Sequence, residues 1–129
     1  MSFHKISTND IEPYVTKDGS LIREIIRPSR LEDARMSLAE ATLKEGCSTF
    51  LHIHRTSEEI YHILSGKGAM TLGDEKFDVE PGDSIFIMPG TPHRIENLGD
   101  RPLRILCCCY PPYEHEDTEI VDKTTGVRR

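Results

Sequence analysis

Apolar and polar positions alternate along most of this chain in short runs, and the runs are separated by Gly, Pro, Asn and Asp. Successive side chains of a strand point to opposite faces, so this alternation reads as strands with one buried side. Leu21-Ile22-Arg23-Glu24-Ile25-Ile26-Arg27 reads as an early strand that Pro28 ends, and residues 36–43 as the next, before Lys44-Glu45-Gly46 turns the chain. Residues 69–72 and 76–79 flank a Gly73-Asp74-Glu75 hairpin turn. Pro81-Gly82-Asp83 then leads into a buried strand at 84–88, and Asn97-Leu98-Gly99-Asp100 into a last one at 103–110. Short strands with this punctuation and no long helix predict an all-β fold, an antiparallel barrel or sandwich.

Alternation also predicts which side chains face in. In Leu103-Arg104-Ile105-Leu106-Cys107-Cys108-Cys109-Tyr110, Arg104 belongs in water, which turns Leu103, Ile105, Cys107 and Cys109 inward. Neighbouring cysteines then project to opposite faces and do not pair with one another, so reduced thiols packed as small hydrophobes are expected. A thiol close to a metal is the competing reading.

Composition narrows the class. The 129 residues make one domain with a real core, and 36% hydrophobic with 29% charged residues is a globular balance. A net charge of −6 with no basic stretch argues against a nucleic-acid partner. No apolar run spans a bilayer and the first residues lack a secretory pattern, so neither a membrane partner nor export is expected and the cytoplasm is the expected compartment.

The chemistry concentrates in two stretches. Residues 46–66 contain His52, His54 and Glu59 between Gly46 and Gly66; residues 82–97 contain His93 between Gly82 and Asn97. On a strand His52 and His54 face the same way, a two-histidine pincer. Glu59 is an odd number of residues further on, and a hairpin through the polar Arg55-Thr56-Ser57-Glu58 is expected to reset its parity so that it opens a partner strand facing the histidines. His93 follows the Pro89-Gly90-Thr91-Pro92 turn and enters from a neighbouring strand. Three imidazoles and one carboxylate leave two positions of an octahedron open, a set suited to one divalent ion of Fe, Mn, Ni, Co or Zn. Glu58 competes with Glu59 for the carboxylate role. His62 is out of phase and is expected on the outer face; nothing ties His4 or His115 to the centre.

These stretches resemble the two motifs of the cupin superfamily. Gly46, His52, His54, Glu59 and Gly66 match the first in full; Gly82, Gly90, His93 and Asn97 match the second, with Met88 where a proline is usual. The spacing to Gly66 favours Glu59 over Glu58. The resemblance covers about residues 36–110 and implies a cupin-type antiparallel β-barrel, that is, a double-stranded β-helix or jelly roll. It leaves an N-terminal strand at 21–27, of the kind that in many small cupins joins the sheet of a second subunit, hence a homodimer. It also leaves a C-terminal tail, 111–129, departing from the barrel as a charged surface segment or, less readily, folding over one mouth.

The site so placed suits a small-molecule substrate. The resemblance points to a metal-dependent enzyme acting on a carbonyl or hydroxy compound such as a sugar or sugar acid, of isomerase or lyase type. An Fe-dependent dioxygenase and a non-catalytic small-molecule binder are the alternatives. Tyr61 shares the parity of Glu59 and is the candidate catalytic group, with a plain core aromatic as the competing reading. Arg94 is out of phase with His93, so no inward cation for an acidic substrate is identified.

Overall fold

The computed structural model describes residues 5–29 and 31–123, so His4 lies outside the described residues. Among the described residues eleven strands follow in order: β1 (Tyr14–Val15), β2 (Leu21–Ile26), β3 (Ser37–Leu43), β4 (Leu51–His54), β5 (Glu58–Ser65), β6 (Gly68–Leu72), β7 (Glu75–Val79), β8 (Ser84–Ile87), β9 (His93–Asn97), β10 (Leu103–Tyr110) and β11 (Thr118–Asp122). They form a six-stranded sheet, β1-β2-β3-β10-β5-β8, and a five-stranded sheet, β11-β4-β9-β6-β7, each antiparallel throughout. This is the all-β cupin-type jelly roll that the alternation and the two motifs predict. No helix among the described residues is long and apolar enough to cross a membrane.

Alternation sorts the side chains as expected. On β10 Leu103, Ile105, Cys107 and Cys109 are buried while Arg104 is exposed, and none of the four cysteines is in a disulfide. Cross-strand rows carry the pattern into the neighbours: Ile105 faces Ile63, Cys107 faces Tyr61 and Cys109 faces Glu59. Leu43, Ile63, Met70, Ile95, Leu103 and Ile105 fill the space between the sheets at one end of the barrel, each burial favourable by about 1.5–3 kcal/mol. Gly66 is required where β5 ends. Its φ is +87°, and a Cβ there would sit 2.7 Å from the Pro102 carbonyl oxygen, a contact no side chain tolerates.

Three features depart from the sequence reading. The segment between β4 and β5 is not a hairpin: β4 pairs with β11 and β9, whereas β5 pairs with β10 and β8, so Arg55–Ser57 carries the chain from one sheet to the other. Glu59 regains the inward face because a strand crossing to the opposite wall presents its other side to the interior. Secondly, the strand at 21–27 is paired within its own chain, with β1 on one side and β3 on the other. Thirdly, residues 111–123 do not leave the barrel. After a short 3₁₀ turn at His115–Asp117 they return as β11 on the free edge of β4, with Thr118 opposite His54 and Ile120 opposite His52. Asp117 locks that return by accepting hydrogen bonds from Thr56 N at 2.9 Å and Thr56 Oγ1 at 2.8 Å.

Candidate metal centre

The centre is assembled by register. His52 and His54 are the inward positions of β4, and His93, the first residue of β9, is the direct cross-strand partner of His52. The imidazole centroids lie 4.2 Å (His52–His93), 5.2 Å (His52–His54) and 5.4 Å (His54–His93) apart, and one nitrogen of each ring lies within 4.8 Å of the others. Glu59 reaches in from the opposite sheet, with Oε1 3.0 Å from His54 Nε2 and 3.5 Å from His93 Nε2. Glu58 is exposed on the outer face, so of the two adjacent glutamates only Glu59 meets the histidines. His62 also points outward, bonded to Ser84 Oγ at 2.8 Å.

Each histidine is oriented by its Nδ1. That atom lies 2.8 Å from the Phe50 carbonyl oxygen in His52, 2.9 Å from the Thr91 carbonyl oxygen in His93 and 3.0 Å from Thr118 Oγ1 in His54. A carbonyl only accepts, so Nδ1 of His52 and His93 carries the hydrogen. The Thr118 hydroxyl donates its own hydrogen to the Glu114 carbonyl oxygen at 3.0 Å, so it too receives one from His54. In its neutral form each of the three rings therefore turns an unprotonated Nε2 to the centre, the tautomer a metal ligand needs.

The satisfaction of the remaining polar atoms fits an ion there. His52 and His93 are wholly buried, yet the Nε2 atoms of both, and Glu59 Oε1, have no hydrogen-bond partner. Buried polar groups without partners are costly and rare, and three of them around one point match the donor set of a divalent transition metal. The other oxygen of Glu59 is engaged: Cys109 Sγ donates to Oε2 at 3.3 Å from the facing strand. That bond turns Oε1 toward the rings.

The electrostatics follow from burial. Burial pushes His52 down, and the neighbouring His93 pushes further, to about 4, so at neutral pH its ring is uncharged. Burial also pushes His54 down, but Glu59 outweighs it and the ring titrates above its ordinary value. For Glu59 burial works upward, and the facing His54 and His93 more than offset it, holding the carboxyl below the usual range. Tyr61 is buried, its ring centroid 5.8 Å from that of His93. Burial, then Glu59, raise its hydroxyl well above 10, so it stays protonated. In that form the hydroxyl donates a hydrogen bond.

A narrow pocket opens beside the centre, walled by His54, Glu59 and Tyr61 with the uncharged Ala39, Ala41 and Ile105. Its charged lining residues are Asp18, Glu24 and Glu59, with no lysine or arginine among the described residues. Arg94 points away and pairs with Glu96 at 3.0 Å, and Arg23 faces Glu40 at 3.8 Å.

Sequence reasoning missed three neighbours of the centre. Asp18 Oδ2 lies 3.5 Å from His52 Nε2. Tyr113 stands edge-on to His54 at 5.7 Å between centroids, and its hydroxyl bonds Thr16 Oγ1 at 2.9 Å. Thr118 orients His54. Asp18-Gly19-Ser20 carried a turn signal and Thr118-Glu119-Ile120-Val121 a strand signal, but nothing in either gave the distance to residues far away in the chain. His115 stays at the surface, bonded through Nδ1 to the Tyr113 hydroxyl at 3.0 Å.

Comparison with known proteins gives the family and the fold. Over 122 residues the chain is 57% identical to an uncharacterized protein of Methanocaldococcus jannaschii, covering 95% of this chain and 98% of that one. It is 28% identical over 122 residues to the tetracenomycin polyketide synthase protein TcmJ of Streptomyces glaucescens, covering 91% and 81%. Among solved structures it superposes on a predicted oxalate decarboxylase of Thermotoga maritima with a TM-score of 0.75 at 23% identity, covering 84% of this chain and 99% of that one. The family profile of the cupin domain matches residues 39–109, the span that holds both motifs and all three histidines, and the chain belongs to the cupin family.

Proposed function

We propose that this cupin is a metal-dependent enzyme acting on a small, uncharged carbonyl or hydroxy compound, a neutral sugar rather than a sugar acid, in an isomerase- or lyase-type reaction. The observation that carries the reading is the pairing of three buried, partnerless polar atoms with a pocket whose charged residues are all acidic. His52, His54, His93 and Glu59 would hold one divalent ion of Fe, Mn, Ni, Co or Zn. Such an ion polarises a carbonyl or hydroxyl oxygen and lowers the pKa of bound water.

The chain's own residues supply the rest. Among the described residues the pocket offers no lysine or arginine to an anionic substrate, and its carboxylates accept hydrogen bonds from hydroxyls. Tyr61, kept protonated, donates a hydrogen bond to a substrate oxygen and fixes its orientation. Cys109 holds Glu59 in place through its bond to Oε2.

The test is metal analysis of protein purified without chelators or an immobilised-metal column, followed by a screen of neutral and acidic sugars under air and under argon. The expected result is one tightly held Mn, Ni or Zn ion per chain and turnover of a neutral compound unaffected by oxygen. Substrate-dependent O2 consumption abolished by an iron chelator would replace this reading with an Fe-dependent dioxygenase. A ligand bound and recovered unchanged after long incubation would replace it with a non-catalytic binding protein.

A further inference from the structure

The turn at Thr16–Ser20 lies outside both cupin motifs, yet it places a second carboxylate at the centre. Its backbone closes through Gly19 N to the Thr16 carbonyl oxygen and Thr16 N to the Ser20 carbonyl oxygen, both at 2.9 Å. Gly19 adopts φ +95°, which the turn needs and few other residues would take. The turn is fastened on two sides. Phe50 N donates to the Asp18 carbonyl oxygen at 2.8 Å, immediately before the histidine strand β4. Lys17 Nζ donates to the His115 carbonyl oxygen at 3.1 Å and to that of Thr118.

Within this turn Asp18 divides its two oxygens. Oδ1 accepts from Ser20 N at 2.9 Å and from Ser20 Oγ at 2.7 Å. Oδ2 points the other way, 3.5 Å from His52 Nε2, the wholly buried nitrogen that has no hydrogen-bond partner. That spacing equals the 3.5 Å between Glu59 Oε1 and His93 Nε2. The two carboxylates thus face the imidazole cluster alike, each with one oxygen tied back to protein and the other aimed at an orphaned nitrogen. The Asp18 side chain is only 14% exposed.

We propose that Asp18 is a fifth protein donor to the metal, making the centre three histidines and two carboxylates. The inference rests on the metal-binding reading given above. Two carboxylates would cancel the charge of a divalent ion, so the loaded site would be neutral and would offer an anion no net attraction. With five protein donors the ion would keep fewer positions for a substrate than with four.

Zinc binding tests this without reference to activity. In zinc-loaded crystals an Asp18 oxygen should stand at about 2.0–2.2 Å from the ion. Asp18→Asn keeps the acceptor that Ser20 uses, so the turn folds, and it should lower zinc affinity at least about tenfold in a chelator-competition titration. Zinc held by the three histidines and Glu59 with both Asp18 oxygens beyond about 3 Å would overturn the proposal, as would an Asp18→Asn affinity within about twofold of the parent. No zinc at the three histidines would sink the metal reading itself, a separate result.

Discussion

The two ends of β9 bury polar side chains on the same face of one strand, and they treat them oppositely. At the far end Asn97 is fully employed: Nδ2 donates to the carbonyl oxygens of Leu43 at 3.0 Å and Arg101 at 2.9 Å, and Oδ1 accepts from Gly99 N at 2.9 Å. At the near end His93 has one nitrogen fixed to the Thr91 carbonyl and the other bare. Both are motif residues and both are almost wholly inaccessible. Asn97 stitches β3, β9 and the loop before β10 together, and its polar capacity is used up in doing so. His93 keeps capacity in reserve. A motif position can therefore be architectural or chemical, and the hydrogen-bond balance of the buried atoms tells which.

The contrast can be broken from either end. The largest effect should come from the double substitution of His52 and His54 by alanine, which removes two donors and should abolish metal retention while the far-UV circular dichroism stays that of an all-β barrel. One ion per chain remaining in that variant, by elemental analysis, would show the histidines are not the ligands. Asn97→Ala should act the other way round. It strands two carbonyls and an amide, so urea unfolding should show a loss of about 2–4 kcal/mol, with metal content unchanged in whatever fraction is folded.

Acid sharpens the comparison further, because only the near end titrates. The folded pKa of His52 is depressed to about 4, so as pH falls below about 6.5 the unfolded chain takes up a proton that the folded one refuses, and stability drops. His54, shifted upward, has its contribution fully present below its unfolded value. Glu59, shifted downward, keeps its own above the unfolded carboxylate value. Between about pH 6.5 and 4.5 the decline within the centre therefore belongs to His52, and for metal-free protein it should reach about 2–3 kcal/mol. Urea unfolding at the two pH values checks this, and His52→Asn should flatten the decline.

The smallest expected change is at Thr118. Thr118→Val keeps the shape but removes the acceptor that orients His54, so metal affinity should fall about 10–100-fold in a competition titration, with Thr118→Ser restoring it. An unchanged affinity would mean β4 alone holds the ring in place.

Much of this was readable in the letters, for local reasons. Alternation along Leu51–His54 and Leu103–Tyr110 gives the inward faces directly, because strand parity is a property of neighbours. The inward position of Glu59 was also anticipated, but by a hairpin that does not exist. A polar turn announces that the chain changes direction, not whether the next strand lies beside the last or on the opposite wall. Residues 111–123 were misjudged because Pro111, Pro112 and a run of acids read as surface, while the edge of β4 that β11 covers was invisible in one dimension. Asp18 and Thr118 reach the centre from opposite ends of the chain. Pairings of that range follow from closing the barrel, which no local pattern encodes.

The crossing at Arg55–Ser57 puts Glu59 on one wall and the three histidines on the other. An ion gripped by all four would clamp the two layers together, a cross-link of the kind that a disulfide gives secreted domains, in a protein whose four cysteines form no disulfide. Stripping the ion should then let the walls breathe apart at this mouth first, with amide exchange quickening along β4 and β5 well before it does around Leu103 and Met70.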